Sequence, residues 1–244
     1  MNPEQLSAIF AYIDAHKTGF LIGGFFAQGI GYIQLGYAVY LGFRDRSHAI
    51  PFFVMLLYMA NDLTFVLSYN KWFHQIGDPL VVQAWYSMLP FPVCHAVIAW
   101  QIVNYSRGEV FPGLSKIQAY LAYFAAQLAV FALFFWLQDA MNDTLQMQTG
   151  MMTVIGSNMS VCLLAQRHNR KGQSMVYAWI VALCAGPMTW FVLFPSELES
   201  FTSPAYYALA TAMSALSLLY PYLLSKAPVY QVAVEPTLQP VSEL

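Results

Sequence analysis

The sequence predicts an all-α integral membrane protein, one bundle of seven transmembrane helices. Two observations carry that expectation. Of 244 residues, 59% are hydrophobic and only 9% charged, far too few charged groups to coat a soluble globule. Seven apolar stretches also reach the roughly 20 residues that a helix needs to cross hydrocarbon. They lie at 18–43, 49–70, 80–105, 113–138, 147–166, 174–195 and 203–225.

Taken in order, the chain opens on "MNPEQLSAIFAYIDAHK", which lacks the basic start and small-residue cleavage site of a signal peptide. Asn2 followed by Pro3 reads as the cap and first turn of a short amphipathic surface helix. In the first segment Gly23, Ala27 and Gly31 form a ridge of small residues suited to close helix contact. Pro90 and Pro92 in the third segment and Pro187 in the sixth should break or kink their helices, freeing carbonyls where a cavity can open. The turns "RDRSH", "NKWFHQIGDP" and "QRHNRKGQ" are too short to hold a second domain, so residues 1–226 read as one membrane domain. The Pro- and Glu-containing stretch 227–244 reads as a flexible tail. No internal repeat of the kind that builds three-plus-three transporters is visible. Cys94, Cys162 and Cys184 fall inside apolar runs without metal-ligand spacing and read as small lipid- or core-facing side chains. A net charge of −2 and the lack of any long basic block exclude a nucleic-acid partner.

Charge also sets an orientation. With seven crossings, one side carries Arg44, Arg46, Arg107, Lys116, Arg167, Arg170, Lys171 and Lys226, against Lys17 and Lys71 on the other. By the positive-inside rule the C-terminus is cytosolic and the N-terminus is not.

At about 1.5 Å per residue, this topology gives each side chain a depth. Gln28, Asp62, Gln127, Asn158, Thr189 and Ser214 fall within about a turn of the midplane, and His95 slightly to its cytosolic side. Taken singly, the uncharged members of that layer read as hydrogen-bonding glue between helices. Their common depth suggests a shared polar cavity.

Asp62, in "LLYMANDLTFVLSY", differs in kind, because a carboxylate at the centre of a spanning helix costs about 2.5–3.5 kcal/mol to insert. None of its i±3 or i±4 neighbours is basic. Two readings stand open: a protonated acid bonded between helices, to His95 or Asn158, or a proton donor kept in its neutral form by hydrocarbon. His95 in "PFPVCHAVIAW" is open in the same way, as a satisfied core histidine or a proton relay. Tyr58, Phe65 and Tyr69 stand at i−4, i+3 and i+7 from Asp62 and so share its helix face. They read either as ordinary aromatic packing or as rings that stabilise a cation beside the acid.

The length, the seven apolar segments, "YAVYLGFRDRSHAIPFF" with Arg44-Asp45 closing the first segment, the acid in the second segment and the basic turn in "VCLLAQRHNRKGQS" resemble the small seven-helix membrane terpene cyclases. That family is known from fungal meroterpenoid pathways and has bacterial relatives. The resemblance covers roughly residues 19–225, mainly through topology. It implies an enzyme that protonates an epoxide or olefin of a prenylated substrate and lets the chain cyclise. It further implies that Asn61-Asp62 stand where the family has a Trp-Glu pair, and that Ser217 stands where its last helix has an aspartate. The seventh segment here has no acid, and His95 is the candidate to complete a proton relay.

The expected function is therefore a membrane-bound isoprenoid cyclase or isomerase. Asp62 and His95 are its catalytic candidates, and Tyr58, Asn61, Phe65, Tyr69, Gln28, Gln127, Asn158 and Ser217 are the candidates that line the substrate. An epoxidised prenyl chain suits a carboxylic acid better than an unactivated alkene does. No cofactor or metal is expected, since the sequence lacks the paired carboxylate run that binds a magnesium diphosphate. The expected partners are a lipophilic prenylated small molecule and the bilayer. The alternative is a proton-coupled transporter or a lipophilic-ligand-binding membrane protein.

Overall fold

The computed structural model describes residues 3–197 and 199–230, and every regular element among them is helical. The chain begins with α1 (Pro3–Ala15), α2 (Lys17–Arg44) and α3 (Phe52–Leu67), then a π-helical turn at Lys71–Ile76. Next come α4 (Pro79–Met88), α5 (Pro90–Tyr105), the one-turn α6 (Arg107–Val110) and α7 (Lys116–Ala140). It finishes with α8 (Met147–Asn158), α9 (Val161–Arg167), α10 (Met175–Cys184), a second π-helical turn at Thr189–Leu193, α11 (Phe194–Glu197), a 3₁₀ turn at Glu199–Thr202 and α12 (Pro204–Lys226).

Four stretches are long and apolar enough to cross a membrane: Pro79–Tyr105, Lys116–Ala140, Met175–Leu193 and Pro204–Lys226. Phe52–Leu67 is a shorter apolar helix. On α7 the apolar side chains Ile117, Leu121, Phe124, Leu128, Phe135 and Trp136 are all exposed. A face this apolar is ordinary surface against lipid and a liability against water.

Local chemistry explains where the helices start and stop. Ser115 and Gln118 form a reciprocal capping box that opens α7. Ser174 and Ser203 accept the N–H groups of Tyr177 and Tyr206 to open α10 and α12. Gly77, at φ 67°, closes the first π-helical turn, and Asp78 then caps α4 through the Leu80 N–H at 2.8 Å, with Pro79 in the first turn. The third expected segment does break, at Leu89–Pro90, where proline has no N–H to continue the ladder. The sixth breaks around Pro187, between α10 and its π-helical turn.

The fifth segment is not the single helix expected at 147–166. It divides into α8 and α9 with no proline present. Asn158 Nδ2 donates instead to the Val154 carbonyl at 3.0 Å, a local bond that competes with the helix ladder. Of the Gly23, Ala27 and Gly31 ridge, Gly31 packs on Phe91, where a Cβ would stand 3.3 Å from the ring. The surroundings of Gly23 and Ala27 lie outside the described residues, as do Asn2 and residues 231–244 of the expected tail. The start of that tail is tied down, because Arg170 donates to Ala227 O and Ser225 O at 3.0 Å each.

Packing arranges the long elements as a ring. α3, α5, α2, α10, α12 and α8 each pack on the next, and α8 returns to α3. α7 lies outside this ring against α3, α5 and α8, while α4 sits against α2, α3 and α5. At one end of the ring a buried polar clasp joins the loop after α2 to the loop after α9. Asp45 accepts the Gly172 N–H at 2.8 Å. Arg167 pairs with Glu109 at 2.8 Å and donates to the His48 carbonyl at 2.8 Å. His48 is buried, and burial lowers its affinity for a proton well below the usual histidine range, with the Arg167 and Lys171 charges adding to the effect.

Candidate functional site

α3 places Tyr58, Asn61, Asp62 and Phe65 at helical spacing on one face, and that face looks into a cavity of about 750 Å³ inside the ring. The cavity falls in the size range of small-molecule sites. The neighbouring α5 contributes His95. His95 Nε2 and Asp62 Oδ2 are 2.7 Å apart, with His95 1% and Asp62 8% exposed. A carboxyl and an imidazole buried together need carry no net charge, which makes the acid tolerable at this depth. Nδ1 of His95 is buried without a hydrogen-bond partner among the described residues.

The second oxygen of the acid is also held. Asn61 Nδ2 donates to Asp62 Oδ1 at 2.9 Å. Gln146, which precedes α8, donates from Nε2 to the Asn61 carbonyl at 2.6 Å and to Asn61 Oδ1 at 3.1 Å. Tyr58 OH bonds Ser157 Oγ from α8 and accepts from Gln34 Nε2 of α2 at 3.4 Å.

Aromatic rings form much of the remaining wall. Phe65 stacks on Trp72 with ring centres 4.5 Å apart, and Tyr32 stacks on Phe91 at 4.6 Å. All four line the cavity. Lys71, in the π-helical turn, holds its ammonium 4.2 Å from the Trp72 ring centre. Burial pushes its amine down to about 8, while Asp143 acts in the opposite sense.

The cavity reaches the outer surface between α2 and α4. Leu21 and Tyr32 line it and are nevertheless 49% and 37% exposed. α4 has no buried residue and is latched to α2 by two hydrogen bonds. Ser87 Oγ donates to Gln28 Oε1 at 2.6 Å, and Tyr32 OH donates to the Ser87 carbonyl.

Six of the expected site residues therefore meet in one cavity: Asp62, His95, Tyr58, Asn61, Phe65 and Gln28. Four do not. Tyr69 lies beyond the end of α3 at Leu67, so the face it was to share has ended; it is 45% exposed and stacks on Phe73 at 4.3 Å. Trp72 occupies the expected place beside Phe65. Gln127 sits on α7, outside the ring, and donates to the Leu56 carbonyl at 3.0 Å. Asn158 bonds back to its own helix. Ser217 Oγ donates to the Ser214 carbonyl at 2.8 Å, on a part of α12 that packs toward Gly186. Thr189 likewise turns to the Cys184 carbonyl at 2.6 Å. Equal depth does not fix which side of a helix a residue occupies, and the inference of one polar layer fails for that reason.

Sequence reasoning missed Gln34, Gln146, Ser157 and Trp72. Gln34 carried a usable signal, an amide six residues beyond Gln28 in the same apolar run. Gln146 carried none, since it lies between two expected helices in a polar turn. No family model, curated protein or solved structure matches this chain.

Proposed function

We propose that this chain is a multi-pass membrane isoprenoid cyclase or isomerase, with Asp62 as the proton donor and His95 as its partner. The observation that carries the reading is the buried Asp62–His95 pair in an aromatic-walled cavity of an apolar helical bundle. Seven crossings are part of the proposal, with α2, α3 and the broken α8–α9 joining the four long apolar stretches. So is the orientation with the C-terminus in the cytosol, which rests on the bias of basic residues.

The chemistry follows from the residues. Asp62 gives its proton to an epoxide oxygen or an alkene carbon of a substrate seated against α3, leaving a carboxylate. The cationic centre formed on the substrate is attracted to that carboxylate and to the faces of Phe65, Trp72, Phe91 and Tyr58. His95 and Asn61 hold the carboxylate oxygens as its charge develops, so the stabilising dipoles are in place before the reaction. The proton lost from the cyclised cation, either directly or after a substrate hydroxyl has captured the cation, returns to the Asp62 carboxylate and restores neutrality. At about 30 Å³ per heavy atom, the volume of water in the liquid, the cavity holds on the order of 25 heavy atoms. A prenylated ring or a C15–C20 chain fits that bound.

A second reading is favoured by one specific observation. α4–α5, α8–α9 and α10–α11 are all interrupted beside the cavity, as helices are around the sites of secondary transporters. In a proton-coupled transporter, Asp62 and His95 would bind the coupled proton. One experiment separates the two: purified protein in proteoliposomes is given an epoxy-prenyl aromatic compound, and both compartments are analysed by mass spectrometry. A cyclase yields an isomer of unchanged mass with a new retention time. Movement of the compound across the bilayer without conversion supports the transporter and refutes the cyclase.

A further inference from the structure

We infer that Gln146 is a positioning residue for the proton donor, acting through Asn61. The inference rests on the reading of Asp62 as the acid and adds how the acid is prepared for its task.

The direction of an amide is ordinarily assigned rather than observed, yet here one atom fixes the whole chain of bonds. The Asn61 carbonyl on the backbone can only accept. The Gln146 side-chain atom 2.6 Å from it must therefore be the donor, Nε2. That same Nε2 lies 3.1 Å from a side-chain atom of Asn61, which must then be its oxygen. What remains to face Asp62 is the Asn61 NH₂, 2.9 Å from Oδ1. Gln146 thus decides that Asp62 meets a donor and not an acceptor.

This matters because Asp62 has only two oxygens and His95 already holds the other. An N–H on Oδ1 stabilises the ionised carboxyl over the protonated one, and so favours the state that exists after the proton has gone to substrate. Were the Asn61 amide turned round, its oxygen would accept from a protonated Asp62 and hold the proton back. Gln146 is itself buried, at 6% exposure, in a left-handed conformation with φ 60° that is uncommon for a residue with a side chain. In that conformation its side chain crosses from the loop before α8 to α3.

The other titratable groups that line the cavity are Tyr58 on α3 itself, Tyr32 from α2 and Cys184 from α10; Lys71 stands over the lining Trp72 ring and feels the charge of Asp143. Of the titratable groups among the described residues, His95 alone is hydrogen-bonded to Asp62.

The test reads the acid directly and needs no substrate. Infrared difference spectra of the full-length protein in lipid nanodiscs identify the Asp62 carboxyl bands as those lost in Asp62→Asn. The proposal expects Gln146→Met to displace those bands in the same sense as Asn61→Leu, and the double variant to displace them no further than Asn61→Leu alone. Gln146→Glu, whose carboxylate accepts and so turns the Asn61 amide round, should give the same displacement and serves if Gln146→Met does not fold. Bands left in place by both Gln146 variants, or displacements that add in the double variant, overturn the inference. Turnover is read separately: on an epoxy-prenyl substrate Gln146→Met should lower kcat about tenfold, as loss of one hydrogen bond to a charged group does, with KM little changed. Band displacement without turnover by the unaltered protein would remove the cyclase reading and leave the positioning intact.

Discussion

Replacing Gly172 with alanine should loosen the end of the bundle where the loops after α2 and α9 clasp each other. Gly172 has φ 70°, and a Cβ there would stand 2.5 Å from the His48 carbonyl oxygen and 2.8 Å from Arg167 Nη1. The left-handed conformation alone costs an alanine about 1–2 kcal/mol. The displaced contact is the bond from the Arg167 guanidinium to the His48 carbonyl, and a hydrogen bond to a charged group contributes about 1.5–3 kcal/mol. Together these predict a loss of about 2.5–5 kcal/mol. Gly113 supplies the control, since it has φ 81° with open space where its Cβ would go, so Gly113→Ala carries only the conformational part. At about 2–4 °C per kcal/mol for a chain of this size, Gly172→Ala should lower the unfolding midpoint by about 5–20 °C and Gly113→Ala by about 2–8 °C. Thermal unfolding of the purified variants in one detergent, followed by tryptophan fluorescence, measures both. Equal shifts would show that the clasp adds nothing and that only the backbone angle matters.

Three further outcomes follow from the same structure. Gln127→Leu removes a bond between α7 and α3 outside the cavity, so it should cost about 0.6 kcal/mol in stability and leave turnover unchanged; a large loss of turnover would return Gln127 to the site. His48 is held neutral by burial, whereas in the unfolded chain it takes up a proton near its ordinary value of 6.5. Stability should accordingly fall as pH drops below about 6.5, and His48→Gln should flatten that slope; an unchanged slope contradicts the assignment. Gly29 lines the cavity with open space at its Cβ, and Gly36, on the same helix, also has open space but does not line the cavity. Gly29→Trp should slow photolabelling of cavity residues by a diazirine-bearing farnesol in vesicles, and Gly36→Trp should not. Equal labelling rates would place the route of access elsewhere.

The helical class and the apolar character were plain in the composition, because a chain with so few charged groups has few other ways to satisfy its backbone. Asp62 stood out for a related reason, since a carboxyl within an apolar run is costly enough to demand a partner, and His95 is where the structure places one. What stayed hidden depends on rotation about helix axes and on where helices stop. Gln127 and Ser217 bond the Leu56 and Ser214 carbonyls and do not line the cavity. Tyr69 was assigned to the cavity by extending α3 past Leu67, and Trp72 reaches it from the wider π-helical turn that follows. The break after Asn158 comes from a side chain that prefers its own helix to its neighbours. Gln146 was out of reach altogether, since nothing in a polar turn announces a left-handed residue aimed at another helix.

The central claim is that Asp62 delivers a proton, and Asp62→Asn tests it most directly. The amide is nearly isosteric and can still bond His95 and Asn61, so the fold should survive while the transferable proton is gone. On an epoxy-prenyl substrate, the purified, monodisperse variant should turn over roughly 10²–10⁴-fold more slowly than the unaltered protein, the usual cost of losing a general acid. Asp62→Glu should retain part of the activity. Turnover by Asp62→Asn equal to that of the unaltered protein would contradict the account and move the search for the acid to His95.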